Sequence, residues 1–353
     1  MRFTPRPRVV DAGVLFATLA AAATGVASLV SGRPGDWWVV AAHGVAGAVL
    51  AVLLGWKLRR VAPRLVRPAA WSGAVVVSAG TLALAVATLA TGVLWVHGRP
   101  LGVGPWTGLT VHAFLGVALL AVLAGHLRSR FRLPARADFE GRRTAMQTAA
   151  LVGGGVLAWR LQQVVVNVLD GAGAARRFTG SRPVDGDAGN DFPVTSWVAD
   201  DPAPVDLDRW RLEVSGAVAE PLSLSATDLG AADAEHAVLD CTSGWYADRE
   251  WAGVRVGRLL DRAGIGDEAR FVRFRSVTGY RFSLPLAEAR EALLATQVDG
   301  EPLSHGHGAP ARLVAPGRRG FQWVKWVESV EVLTRPDYGQ WVAIFTSGFA
   351  GRG

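Results

Sequence analysis

HAVLDCTSGWYADREWAGVRV, residues 236–256, holds the only cysteine in the chain, and its reading decides the fold of the second half. A candidate strand, Ala237–Cys241, runs into the cysteine, and Thr242-Ser243-Gly244 turns the chain away from it. The thiol therefore belongs at a loop, where binding and catalytic groups concentrate. One cysteine allows neither an internal disulfide framework nor a multi-cysteine metal cluster. Cys241 either packs as a small hydrophobe or does chemistry.

Outward from this stretch, short runs of strand formers occur at Trp210–Val214, Phe271–Arg275, Arg312–Ala315 and Val324–Leu333. Short helices fit Ala226–Leu229, Val256–Ala263 and Leu286–Leu294. This mixture predicts an α+β domain. The first half is different. Residues 1–170 carry long apolar runs, in a chain of 353 residues that is 50% hydrophobic.

The net charge of +7 is unevenly placed. Arg2, Arg6 and Arg8, the Lys57–Arg67 loop and the Arg128–Arg143 loop hold most of the excess, opposed only by Asp11, Asp138 and Glu140. A nucleic-acid binder keeps such a patch on its soluble domain, so that class is excluded. A bilayer core needs about 20 apolar residues per helix. Spans are expected near 10–31, 37–57, 71–97, 108–127 and 145–168. Arg160 and Gln162–Gln163 interrupt the last of these, which predicts an early end and an interfacial continuation. The basic loops lie on one side, so the N-terminus is expected in the cytoplasm and everything beyond the fifth span outside. Trp37, Trp38, Trp95 and Trp106 fall at the outer ends, as interfacial aromatics do.

The expected organisation is a four-helix membrane domain (1–143), a fifth span (144–170), a linker (171–190), a globular domain (191–340) and a tail (341–353). Arg142–Arg143 before the fifth span read either as a twin-arginine export signal or as a plain positive-inside flank.

Four histidines, His43, His97, His112 and His126, lie in the membrane half, where ionisable groups mark function. His43 is about six residues into its span and His112 about four, which puts both roughly 6–9 Å below the outer surface. Matched depth suits two axial ligands of one b-type haem. His97 is the alternative outer ligand. His126 lies roughly 21 Å below His112 on the same helix, a spacing that resembles two-haem cytochromes b, but only Lys57 and Met146 face it at that level. The competing reading is hydrogen bonding between helices.

Three segments then carry a specific resemblance: DLDRWRLEVSG (206–216), LDCTSGWYADREWAGVRVGRLL (239–260) and HGHGAPARLVAPGRRGFQWVKWVESVEVL (305–333). In order and spacing they resemble the molybdenum-cofactor domain of sulfite oxidases and periplasmic methionine sulfoxide reductases, over about 178–340. The resemblance implies an α+β, sulfite-oxidase-type molybdopterin-binding domain, which the apolar runs join to a multi-span α-helical membrane domain. It implies that Cys241 is the thiolate on molybdenum, that Arg312 binds the cofactor and the substrate anion, and that His307 and Lys325 contact the cofactor. Backbone around Phe192 and at Thr278–Gly279 is expected to complete the site. Trp245 and Tyr246 either line the pocket or pack, and His236 and His305 are expected to be structural.

The sequence also departs from the family. It runs out soon after the cofactor domain, so no immunoglobulin-like dimerisation domain is expected. No arginine–histidine pair precedes Trp197, and Ser243 stands two residues after the cysteine where an acidic group is absent. The expected activity is reduction of an S- or N-oxide outside the cytoplasm, with electrons from quinol through membrane haem. The alternatives are oxidation of a small sulfur compound, or a haem-free anchor for a molybdoenzyme served by a soluble partner. The expected partners are quinone or quinol, the small substrate and the lipid bilayer.

Overall fold

The computed structural model describes residues 6–348 except 68, 70, 100, 105, 131–134, 136, 137, 139, 187 and 197–199, and omits the side chains of 129 and 130. Arg2, Arg132, Arg136, Trp197 and the end of the expected tail therefore lie outside the described residues. The chain divides into two compact units, meeting between Arg182 and Pro183.

The first unit is helical: α1 (Pro7–Ser28), α2 (Trp37–Leu65), α3 (Gly73–Val96), α4 (Gly108–Arg130) and α5 (Arg142–Val168). Proline at the first position of α1 costs nothing, since its missing N–H is unpaired there in any helix. All five helices are long and apolar enough to cross a membrane. They are apolar on every side, and large side chains such as Phe16, Val26, Val117 and Val168 are exposed. Such helices are stable where lipid, not water, meets the outer face. The inner seam is Val10, Ala17, Leu50, Leu53, Leu54, Ala85 and Leu119. Contacts are densest between α1 and α2 and between α3 and α4, and α5 lies along α2. At the basic end, Asp11 of α1 pairs with Lys57 (3.1 Å) and Arg60 (2.7 Å) of α2. A two-strand hairpin, β1 (Gly102–Val103) and β2 (Trp106–Thr107), joins α3 to α4. α5 runs unbroken past Arg160, which lies over the Trp159 ring, to Val168.

The boundary falls inside a two-residue strand, β3 (Arg182–Pro183). The second unit has two sheets. In one, β6 (Asp233–Asp240), β7 (Trp245–Arg255), β10 (Leu293–Val298), β11 (Glu301–Pro302) and β12 (Arg312–Val314) pair antiparallel. The other runs β5 (Leu222–Leu224), β4 (Leu212–Gly216), β13 (Val327–Leu333), β8 (Phe271–Ser276) and β9 (Arg281–Pro285). Only the β4–β13 pair there is parallel among the described registers. Short helices α6 (Ala226–Leu229), α7 (Val256–Ala263) and α8 (Leu286–Glu291) connect the strands. Leu212, Val214, Trp251, Phe274, Leu284, Leu293, Leu294, Leu313 and Trp323 form the centre of the core. Each such side chain contributes about 1.5–3 kcal/mol by leaving water.

Two corrections concern the second unit. The helix expected over Leu286–Leu294 stops at Glu291, because Leu293 and Leu294 pair with β7 and β12 as strand. The region read as a tail from 341 starts inside a helix, α9 (Gln340–Thr346), whose Trp341 packs on Phe282.

At the end of β6, Asp240 accepts from Arg319 at 2.8 Å, with both side chains almost wholly buried. Removing one member of a buried pair leaves an uncompensated charge and costs about 3–5 kcal/mol, whereas replacing both with apolar groups costs little. Asp240→Ala should therefore lower the thermal melt of the second unit, followed by tryptophan fluorescence, far more than Asp240→Leu combined with Arg319→Met. Equal melts for the two variants would show that the pair does not hold the fold.

Candidate functional site

Cys241 is the first residue after β6 and starts the turn into β7. Its N–H donates to the Trp245 carbonyl (2.8 Å), and its carbonyl accepts from Gly244 N–H (3.1 Å). Gly244 supplies the positive φ this tight turn needs. A second segment locks the cysteine from behind: Arg319 Nη2 donates to the Cys241 carbonyl (3.2 Å). Gly320 packs so closely that a Cβ there would lie 3.1 Å from the Cys241 Cα. Cys241 is 7% exposed, and its sulfur lies 3.1 Å from Ser243 Oγ.

Arg312, the first residue of β12, is 3% exposed. One Nη1 hydrogen bond goes to the His307 carbonyl (2.9 Å), and its Nε is buried with no acceptor. Burial pulls its pKa down to about 10, while the nearby Cys241 charge works the other way. Lys325 Nζ donates to the Gly306 carbonyl (2.7 Å) and to Ser196 Oγ (3.0 Å). Burial first, then Arg312, lowers its pKa to about 7, opposed by Cys241 and Asp200. Through these mutual influences Cys241, Arg312, Lys325 and Asp200 form one electrostatic cluster. The approach depends on Gly308, whose φ is +113° and whose added Cβ would meet Lys325 and Arg312 at 3.1 and 3.2 Å.

His307 has both ring nitrogens engaged by protein. Nε2 donates to the Phe192 carbonyl (2.9 Å), so Nδ1 accepts from Ser304 Oγ (2.7 Å). Burial lowers its pKa to about 4, and the ring packs on Phe192 with centroids 4.0 Å apart. His307 thus fixes the Phe192 segment and stays neutral. Thr278 is buried in the β8–β9 turn with its hydroxyl 3.1 Å from Ser276 Oγ, and Gly279 takes φ +82°. Asp200 bonds to Thr278, and burial raises its carboxyl pKa; Oδ1 has no partner. Trp245 donates to Thr195 Oγ1 (3.2 Å). His305 engages the Pro202 carbonyl (2.9 Å) and packs on Trp326, and His236 sits exposed beside Asp248.

Asp200, Asp240 and Arg319 went unread in the sequence. A carboxylate inside the apolar run Ala237–Cys241 was the available signal for a buried partner, and the tandem Arg318–Arg319 was its complement. Asp200 had no such signal.

In the helical unit, His43 of α2 and His112 of α4 come together, with ring centroids 6.0 Å apart and planes at 84°. Their Nδ1 atoms are held by helix carbonyls, His43 by Ala21 (2.8 Å) and His112 by Thr88 (2.9 Å). Both Nδ1 atoms therefore carry the proton and both Nε2 atoms remain lone-pair donors. Gly25 and Gly92 make room for the two rings. His97 caps the end of α3, and His126 is 3.4 Å from Ser78. Neither joins the His43–His112 pair.

The family profile described as "Oxidoreductase molybdopterin binding domain" matches residues 199–341. The chain is 32% identical over 168 residues to "Uncharacterized oxidoreductase YuiH" of Bacillus subtilis, covering 46% of this chain and 84% of that protein. It is 32% identical over 155 residues to the protein-methionine-sulfoxide reductase catalytic subunit MsrP of Xanthomonas campestris, covering 38% of this chain and 48% of MsrP. It is 35% identical over 124 residues to mitochondrial sulfite oxidase of Mus musculus, covering 32% of this chain and 23% of that protein. A buried arginine with an unfilled donor, beside a lone thiol and a half-titrated lysine, suits an anionic, thiolate-ligated metal cofactor. The chain belongs to the family of molybdopterin-binding oxidoreductases, in its sulfite oxidase and MsrP branch, and joins that domain to five helices of membrane-spanning length.

Proposed function

We propose that the chain is a membrane-bound molybdoenzyme that reduces an S- or N-oxide outside the cytoplasm, using electrons from quinol passed through haem. The observation that carries the catalytic half is Arg312, buried beside Cys241 with a donor that no protein group fills. Buried cations without a partner are costly, so a buried, unfilled guanidinium is a seat for an anion.

In this reading the Cys241 thiolate holds molybdenum, because a coordinated thiol is deprotonated outright. Arg312 and Lys325 bind the cofactor's anionic groups and orient the substrate oxygen. His307 acts by holding the Phe192–Ser196 backbone, and Thr278–Gly279 supplies the opposite wall. Bound there, the molybdenum cofactor supplies two-electron exchange coupled to oxygen-atom transfer. Reducing an oxide consumes two electrons and two protons and releases water. Lys325, titrating near neutrality, holds one proton where that water forms. Oxidation of a small sulfur compound is the reverse flow through the same residues.

The membrane half is read as the electron relay. A metal bound by two imidazoles at about 2 Å per bond separates their ring centroids by roughly 6.4 Å, close to the 6.0 Å found. Locking Nδ1 on a carbonyl and leaving Nε2 open is what an axial ligand requires. Basic loops set the N-terminus in the cytoplasm of the cytoplasmic membrane. Arg142–Arg143 then serve as a twin-arginine signal for exporting a domain folded around its cofactor.

Three measurements test these roles. Cys241→Ser should lose bound molybdenum, read by metal analysis of purified protein, while keeping its fold. Retained molybdenum would end the thiolate assignment. His112→Ala and His43→Ala should each remove the b-type spectrum from detergent-purified protein; wild type without that spectrum reduces the helices to an anchor. For Lys325, an anion favours the charged form, so affinity is highest below pH 7 and falls above it as the empty site's lysine deprotonates. Cofactor affinity should drop by up to about tenfold per pH unit between pH 7 and 9, and Lys325→Met should flatten that profile.

A further inference from the structure

The chain leaving α5 folds back over the outer end of α3 and brings two arginines to neighbouring carbonyls. Arg176 Nη1 donates to the Val96 carbonyl (2.5 Å) and its Nη2 to Gln163 Oε1 (3.0 Å). Arg182 Nη2 donates to the Trp95 carbonyl (2.6 Å), and its guanidinium lies 3.7 Å from the centre of the Trp95 ring. Trp95 Nε1 returns a hydrogen bond to the Gly180 carbonyl (2.9 Å), so the fold-back is fixed at three points.

Capping the last carbonyls of a helix is a common use of arginine, but it leaves two facts unexplained. The first is that two cations sit side by side and partly buried, and among the described residues no carboxylate pairs with either. Burial lowers the pKa of both, and the charge of Arg182 lowers that of Arg176 further. The second is that Arg182 Nε is buried with no acceptor. Two adjacent guanidinium groups without a carboxylate partner, one of them with an unused donor, match a pair of carboxylates.

The position of the pair on α3 says which carboxylates. Gly92, one turn earlier, packs against the His112 ring: a Cβ there would lie 3.0 Å from Cε1. Trp95 and Val96 are thus roughly 5–6 Å outward from the imidazole along the same helix. A haem held between His43 and His112 would present one edge toward this end of α3. Haem carries its two propionates on a single edge.

We infer that Arg176 and Arg182 clamp the two propionates of the haem between His43 and His112 and set its reduction potential. This rests on the haem reading above and extends it to the cofactor's orientation, with its propionate edge outward. A cation beside the propionates opposes the negative charge that reduction adds, so losing it favours the oxidised haem.

The test uses the full chain, purified in detergent, as Arg176→Gln, Arg182→Gln, the double variant and Arg182→Lys. Haem per protein, bound phospholipid phosphate, thermal melt and the ratio of reduced to oxidised haem at a fixed ambient potential are measured. In the double variant the ratio should fall roughly three- to tenfold at low salt, with Arg182→Lys close to wild type. An unchanged ratio and haem content, with only the melt lowered, would establish capping and overturn the clamp. Loss of bound phospholipid with an unchanged ratio would assign the arginines to a lipid phosphate and overturn it equally. Wild type devoid of haem fails the earlier reading instead, and His112→Ala identifies that case independently.

Discussion

The geometry of the catalytic half depends on one buried ion pair, Asp240 with Arg319. The carboxylate ends β6, and the residue after it is Cys241. The guanidinium reaches the same place from the 316–322 segment and also holds the Cys241 carbonyl. Position of the thiol is therefore set by two strands of chain that share one buried charge pair. Such pairs seldom add net stability over apolar replacements, but they penalise every arrangement that separates the partners. That specificity would suit the metal-holding role proposed for the sulfur.

Arg312 is the informative contrast. Both arginines are almost fully buried, and both donate to backbone carbonyls. The Nε of each is buried without an acceptor, but Arg319 has a carboxylate in contact, whereas among the described residues no carboxylate pairs with Arg312. A carboxylate partner marks Arg319 as a structural cation, and its lack at Arg312 supports the anion-binding role proposed for that residue. In the helical unit, Lys57 and Arg60 are answered by Asp11, whereas Arg176 and Arg182 meet carbonyls and an aromatic face. The same physical distinction thus recurs in each half.

The five spans were legible because lipid imposes a long apolar run that nothing else in a soluble chain imitates. Helices Ala226–Leu229 and Val256–Ala263 were equally plain, bounded by Ser225 at one end and Gly264 at the other. β7 was not. Its centre, Asp248-Arg249-Glu250, reads as loop, yet Arg249 faces inward, where Gly186 and Asp191 carbonyls accept from it and Asp299 pairs with it. Leu293–Leu294 looked like the end of a helix because the strand's partners, β7 and β12, are distant in sequence, and sheet pairing overrides local preference. At the site, the family resemblance pointed to Cys241, Arg312, His307 and Lys325. The Asp240–Arg319 pair spans 79 positions, and no local pattern encodes a contact of that reach.

The titrations in the cluster fit together. Three cations packed around one thiol would repel each other strongly in the empty protein. His307 avoids this by staying neutral, with its ring spent on two protein hydrogen bonds and its pKa near 4. Lys325, at about 7, is close to half charged at neutral pH, so Arg312 carries most of the positive charge alone. An arriving anion reverses the balance, because it draws a proton onto Lys325 and raises the site's charge as it binds. The empty site is thereby less self-repelling than the filled one is attractive. Burial, which at first seems only a penalty on these side chains, is what makes their charge conditional on a ligand.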